Sequence, residues 1–207
     1  NGQPLVVGSK TFSLVAAPSL EDPQRIEVGF SSGGSTVLLP ASSIQGGMLG
    51  GLISFRAVSL DAAQNALGRV ALGLAQSFND QHALGQDLNG ALGGNFFSSA
   101  GPAVLPRSQN AGSAAVTALL QNADALTTSD YRLQYNGAAG GNENFLLTRI
   151  ADGATTAVTF PSAGAYPYSF STDGISLTLS SGAALNDSWV IEPTRSGAGN
   201  IGLAVKD

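Results

Sequence analysis

The chain has 207 residues, 43% of them hydrophobic and only 11% charged, with a net charge of −5. Its nine basic residues are scattered and no two adjoin, which argues against a nucleic-acid surface because phosphate contacts need clustered lysine and arginine. It has no cysteine, which excludes disulfides, thiolate metal sites and cysteine nucleophiles.

A chain of this length buries a real core and fits one large or two small domains. Ordinary globular chains are about 25% charged, so this surface must be covered largely by Ser, Thr, Asn, Gln, Gly and Ala. Such surfaces suit secreted proteins and closely packed subunits. No stretch approaches the roughly 18–20 apolar residues of a membrane span, and no charged start followed by an apolar run opens the sequence.

From Pro4 to Pro40 short apolar runs (Leu5–Val7, Phe12–Ala16, Ile26–Phe30, Thr36–Leu39) alternate with Gly, Ser, Pro and Asp clusters, the pattern of a small β-meander. The opening NGQPLVVGSK already reads as turn and strand. Gly46, Gly47, Gly50 and Gly51 then bracket a helix start expected to be irregular, since an interior glycine costs about 1 kcal/mol.

The helix signal runs from about Gly47 to His82. Ile53, Leu60, Leu67 and Leu74 recur every seventh residue, with Phe78 four places beyond Leu74, and a period of seven keeps one stripe on one side of an α-helix. This stripe, with Leu60, Leu67, Leu74 and Phe78, is the expected core face. The opposite face also carries apolar residues such as Leu49, Val58, Val70 and Leu72, so the helix expects neighbours on more than one side. Those neighbours lie either in its own domain or in chain and subunits beyond this sequence.

Past His82 a long glycine-punctuated loop holds Phe96 and Phe97, whose adjacency favours packing against the body. The remainder reads as β: Tyr131, Leu133 and Tyr135 alternate with polar residues, Phe145–Ile150 and Ala157–Phe160 follow, then Ile175, Leu177 and Leu179, and finally Trp189–Ile191. Asn-Gly or Asp-Gly pairs at Asn136, Asp152 and Asp173 read as turns. The fold class is therefore α+β, divided into a β-rich segment 1–45, a long helix with an ordered glycine-rich loop 46–112, and a mainly antiparallel β domain 113–207 built as a sandwich or partly open barrel.

No active site is visible. His82 is the sole histidine and reads as a helix-end cap; a hydroxyl nucleophile would need it as its base. Asp87-Leu88-Asn89-Gly90 begins like a calcium loop, but Leu92 falls where the sharp-turn glycine belongs and Ser98 where the bidentate glutamate belongs. The carboxylate pairs Glu21/Asp22 and Asp124/Asp130 lack an apolar pocket in sequence, and the glycines at 90–94 follow a helix where a phosphate loop would precede one. No catalytic, cofactor-binding or metal-binding set is assigned. A secreted binding module or adhesin, with the β domain as recognition surface, and a hydrolase are the alternatives to a structural protein.

Several blocks in order carry a resemblance: GG-x-LGGL-x-x-FR at Gly46–Arg56, LD-x-x-x-N-x-LGR at Leu60–Arg69, FN-x-QH at Phe78–His82 and G-x-DLNG-x-x-GG-x-FF at Gly85–Phe97. SDYRL at Ser129–Leu133, LTR at Leu147–Arg149, DGISLTLSSG at Asp173–Gly182, NDS at Asn186–Ser188, PTR at Pro193–Arg195 and NIG at Asn200–Gly202 continue it. The sequence resembles the hook-associated junction proteins of the bacterial flagellum, the FlgK family. The resemblance implies a non-enzymatic structural subunit, exported through the flagellar type III channel without a cleaved signal, that forms a ring and joins the hook protein to a second junction protein and the filament. It further implies that the helix is completed by segments from both ends of a longer chain, which have no counterpart here, and that an export chaperone binds a C-terminal region that is also outside this sequence. No cofactor, nucleic acid or membrane is implied.

Overall fold

The computed structural model describes residues 6–32 and 34–205, without the side chains of Lys10 and Ser32. The NGQPL opening, including Leu5 of the first expected strand, lies outside the described residues. By compactness the chain forms two units, Asn1–Leu60 and Asp61–Asp207. The division falls inside the span 46–112 that the sequence presents as one helical segment.

In the first unit, β1 (Val6–Val7) and β2 (Lys10–Thr11) form a short antiparallel ladder. β3 (Ser13–Pro18), β4 (Ile26–Ser32) and β5 (Ser35–Leu38) make the expected meander, with Ser13 opposite Ser31 and Gly29 opposite Leu38. Asp22 closes the β3–β4 loop by accepting from Arg25 Nε at 3.0 Å. The helix α1 (Gly47–Phe55) starts irregularly, as its glycines predict: Gly46 and Gly47 both have positive φ. A π-helical turn, Arg56–Leu60, follows, and Arg56 Nη1 donates to the Ile26 carbonyl at 3.2 Å. Extra residues of this kind widen a helix locally and recur at functional positions.

The second unit opens with α2 (Asp61–Ala83). Two small strands, β6 (Phe97–Ser98) and β7 (Ala103–Pro106), lead to β8 (Val116–Leu120) and a 3-10 turn at Ala123–Ala125. Then come β9 (Tyr131–Ala139), β10 (Asn142–Arg149), β11 (Thr155–Pro161), β12 (Tyr168–Thr172), β13 (Ile175–Leu179), β14 (Ser188–Glu192) and β15 (Gly202–Leu203). A five-stranded sheet ordered β11-β10-β9-β14-β7 and a three-stranded sheet ordered β12-β13-β8 are antiparallel throughout. They enclose a core of Tyr131, Leu133, Phe145, Leu147, Ile175, Leu177, Leu179, Trp189 and Ile191. The sheets remain separate, so the β domain is a sandwich and not a barrel.

Alternation decides which residues enter that core. Tyr131, Leu133 and Tyr135 are buried while Arg132 and Gln134 are not fully so, the period of two of a strand with one face covered. β14 departs from the rule, with all five residues buried, because it lies inside the sheet and is covered on both faces. Asp173-Gly174 forms the expected two-residue hairpin, both residues at positive φ and Thr172 paired with Ile175. Asn136-Gly137 does not form a turn. It lies within β9 at a β-bulge, where Gly137 pairs with Asn144 and the register slips before Phe145. Positive φ serves a bulge as well as a turn, so the dipeptide alone does not separate them. β7, β8 and β12 carry no clear sequence signal because they are short and flanked by small residues.

The expected core stripe of the helix is overturned. Leu60, Leu67, Leu74 and Phe78 are exposed, Leu67 at 62% and Leu74 at 57%. The buried residues of α2 are Asn65, Gly68, Leu72 and Ala75. At 3.6 residues per turn Leu67 lies roughly 140° round the helix from Leu72, so within this unit the leucine stripe faces nearly opposite to the sandwich. Two apolar stripes exist, and the narrower one, with glycine and asparagine in it, makes the intramolecular contact. Leu67→Asp in this chain should therefore shift urea unfolding by no more than about 0.5 kcal/mol. Leu72→Ala, at 1% exposure, should cost about 2–5 kcal/mol.

Candidate functional site

Apart from Gly46–Arg56, which lies in the first unit, the sequence blocks that stand out as motifs form joints of the second unit. The first lies along the buried stripe of α2. Gly68 packs so closely on the turn after β14 that a Cβ there would overlap the Thr194 carbonyl oxygen. From the other side, a Cβ on Gly197 would come within 2.8 Å of both the Gly68 carbonyl and Leu72 Cγ. LGR and PTR are therefore halves of one backbone contact, and only glycine fits its helix side.

Arg195, held beside that contact, joins three carboxylates. It pairs with Asp130, with Glu192 at 3.2 Å and with Asp61, the first residue of α2, at 3.7 Å. Asn65, one turn along α2, donates from Nδ2 to Asp130 Oδ1 at 3.2 Å and to the Thr128 carbonyl at 3.3 Å. Asp130 is the residue before β9 and Glu192 ends β14, so the cluster ties the helix to two of the three inner strands of the larger sheet. Charges this poorly hydrated persist only when paired, and removing one partner of such a set typically costs about 3–5 kcal/mol.

SDYRL continues the joint. Ser129 Oγ donates to the Asp130 carbonyl and accepts from Ala151 N, while the Tyr131 hydroxyl donates to Asp173 at 2.5 Å and meets Thr127 at 2.7 Å. Asp173 faces Arg149 of the LTR block at 3.8 Å, and Arg149 pairs with Asp152. NDS is a separate staple: Asp187 accepts from Ala111, Gly112 and Ala184, and Asn110 exchanges two hydrogen bonds of 2.9 Å with Ser188.

The far end of α2 carries the third joint. Asn79 Oδ1 accepts from the backbone of Phe96 and Phe97, and its Nδ2 donates to the Phe97 carbonyl. Phe78 contacts both phenylalanine rings, at 4.8 and 5.3 Å between centroids, so the expected packing of Phe96 and Phe97 against the body is onto the end of α2. His82 ends the helix by donating from Nδ1 to the Gly94 carbonyl at 2.7 Å. Asp87 does not gather cation ligands: its Oδ1 accepts from Asn89 N and Ala91 N, both at 2.8 Å, which holds its carboxyl below the usual range. Of the two carboxylate pairs, Asp22 closes a loop and Asp130 joins the Arg195 cluster, while Asp124 lines a polar groove beside α2. Among the described residues no group of three His, Asp or Glu is placed to hold a metal, and no helix is long and apolar enough to cross a membrane.

What these joints leave uncovered is the outer face of α2, where Leu67, Val70 and Leu74 are exposed. Sequence periodicity located this stripe but not its direction. The clasp at Arg195 escaped sequence reasoning because its members are far apart in the chain; the glycine in LGR was its one local sign.

Residues 1–97 match the family model described as flagellar hook-associated protein FlgK helical domain, and residues 105–193 match that of flagellar hook-associated protein 1, D2-like domain. The chain is 35% identical over 208 residues to flagellar hook-associated protein 1 of Escherichia coli (strain K12), covering 100% of this chain and 36% of that protein. It is 34% identical to the protein of the same name from Salmonella typhimurium, over 93% of this chain and 34% of the relative. The solved structure of the flagellar hook junction protein FlgK from Burkholderia pseudomallei matches with a TM-score of 0.87 and 36% identity, covering 99% of this chain and 37% of that one. The chain thus spans about a third of the length of these relatives.

Two outcomes test the joints. Gly68→Ala should destabilise the second unit by about 1–3 kcal/mol or more, since the added methyl has no room, as read by equilibrium unfolding. Burial, then the bond to Asp173, pushes the Tyr131 hydroxyl up to about 12, and the bond to Glu143, then burial, does the same for Tyr135. A folded-state value raised above the ordinary 10 means stability that is complete below pH 10 and lost as pH climbs towards about 12. Tyr131→Phe combined with Tyr135→Phe should flatten that alkaline loss in urea unfolding measured against pH.

Proposed function

This chain belongs to the FlgK family of flagellar hook-associated proteins, and on that premise we propose that it is part of a non-catalytic structural subunit joining the flagellar hook to the filament. The observation that carries the proposal is the outward leucine face of α2. A helix clamped on one side by Gly68, Arg195 and Leu72 presents a second, continuous apolar stripe on the other. Exposed stripes of this kind mark surfaces that another chain segment or subunit covers.

In this reading the stripe takes up helical segments of the full-length protein that lie outside this sequence. The completed helical body then packs against copies of itself in a ring, with the hook protein on one side and a second junction protein on the other. The sandwich, held to α2 by charge pairs and backbone contacts, moves with the helix as one block. Such a joint transmits load without a reacting group, which accords with motif residues spent on backbone hydrogen bonds and ion pairs. Export through the flagellar type III channel, with a chaperone bound to a region outside this chain, and an extracellular location at the hook–filament junction complete the proposal.

The test uses the full-length protein in a flagellated cell. Leu67→Asp together with Leu74→Asp should abolish swimming and release filament protein into the medium, while the same pair leaves the melting of this chain unchanged. Normal swimming by that double variant would sink the proposal.

A further inference from the structure

Asn-Gly is the dipeptide in which an asparagine side chain is most open to attack by the following backbone nitrogen, since glycine adds no side chain to block the approach. Among the described residues it occurs twice, in nearly the same setting: Leu88-Asn89-Gly90-Ala91 and Tyr135-Asn136-Gly137-Ala138. Both asparagines are exposed, so access to water does not separate them. Backbone freedom does.

Asn136 is the extra residue of the bulge in β9. Its neighbour Tyr135 is buried, with its N–H on the Asp187 carbonyl at 2.9 Å and its carbonyl accepting from Asn186 N at 3.0 Å. The Gly137 carbonyl accepts from Asn144 Nδ2 at 3.1 Å, and Leu185 Cδ1 lies 3.2 Å from where a Gly137 Cβ would be. Swinging the Gly137 nitrogen towards the Asn136 side chain requires opening an inner strand of the sandwich.

Asn89 sits at the tip of an exposed turn. Its fixation is local: Asp87 Oδ1 accepts from Asn89 N and Ala91 N, and the Gly90 N–H donates to the Asp87 carbonyl at 3.0 Å. Nothing lies within 4 Å of where a Gly90 Cβ would be, so the ring that forms on attack has room. Leu84, Leu88 and Leu92 around the tip are all exposed, Leu88 completely. Opening this turn breaks a few surface hydrogen bonds and no apolar packing, which places it at the low end of the local opening energies of a fold.

We propose that Asn89 is a site of spontaneous deamidation in the native protein and that Asn136 is protected by the sandwich. The Gly90 backbone nitrogen loses its proton to base and attacks Asn89 Cγ; the new N–C bond closes a succinimide and the side-chain amide leaves as ammonia. Water then adds to either ring carbonyl and breaks one C–N bond, giving aspartate or isoaspartate. Either product sets a second carboxylate beside Asp87. The isoaspartate also lengthens the backbone within the turn, which breaks the Asp87–Ala91 pairing and the adjoining Gln86–Leu92 bridge. The reaction is therefore an age mark that loosens the leucine-tipped loop beyond α2.

The test is peptide mapping by mass spectrometry after incubation of this chain in mildly alkaline buffer, folded and in denaturing urea, with isoaspartate detected by its methyltransferase. In the folded protein the amide-to-acid change should accumulate at Asn89 at least about tenfold faster than at Asn136, because only the latter needs strand opening. In urea the two sites should react at similar rates. Asn89→Ser should abolish the change in the first peptide and leave the second as it was. Equal rates at both sites in the folded protein, or no reaction at Asn89 until the chain is unfolded, would overturn the proposal. Neither outcome bears on whether the leucine face of α2 is an assembly surface.

Discussion

The approach of Gly68 to the Thr194 carbonyl fixes how α2 is rotated about its own axis, and most of the second unit's organisation depends on that angle. A helix can lie on a sandwich in many rotations when its apolar residues run round much of its circumference. Backbone contact is possible in one only, where the side chain is a hydrogen atom. With that angle set, Asp61 and Asn65 point to Arg195 and Asp130, Leu72 enters the core, and Leu67 and Leu74 are turned outward. The charge cluster then opposes slippage, since Arg195 left unpaired in so dry a place would be costly.

Polar side chains elsewhere do similar work at short range. Asp187 and Asp87 each accept two or more hydrogen bonds from loop backbone, while Asn110 and Asn79 each bond to a strand end, at Ser188 of β14 and Phe97 of β6. A chain with so few charges spends them, and its asparagines, on backbone groups that would otherwise be unpaired. The result is a unit whose long connections are ordered by internal bonds.

Strand identity was legible where alternation was strong. Tyr131 to Tyr135 and Ile175 to Leu179 read directly as alternating strands, and Trp189 to Ile191 as the apolar run that closes the set, which the structure buries on both faces. β7 and β8 were not legible, because strands of four or five small or weakly patterned residues owe their conformation to the neighbours they pair with. Asn136-Gly137 shows the same limit: its letters announce positive φ, and only the pairing with Asn144 makes it a bulge in place of a turn.

The sequence by itself determined that a long helix runs from Gly47 to the region of His82, that its start is irregular, that two phenylalanines beyond it pack against the body, and that the rest is mainly antiparallel β. These follow from local periodicity and turn chemistry, which act between residues a few places apart. Tertiary structure alone decided which apolar stripe of α2 lies inward. A period of seven defines a stripe but carries no direction, and the inward face is set by a carbonyl at Thr194 and a guanidinium at Arg195, more than a hundred residues further along the chain, that only the tertiary fold brings to the helix.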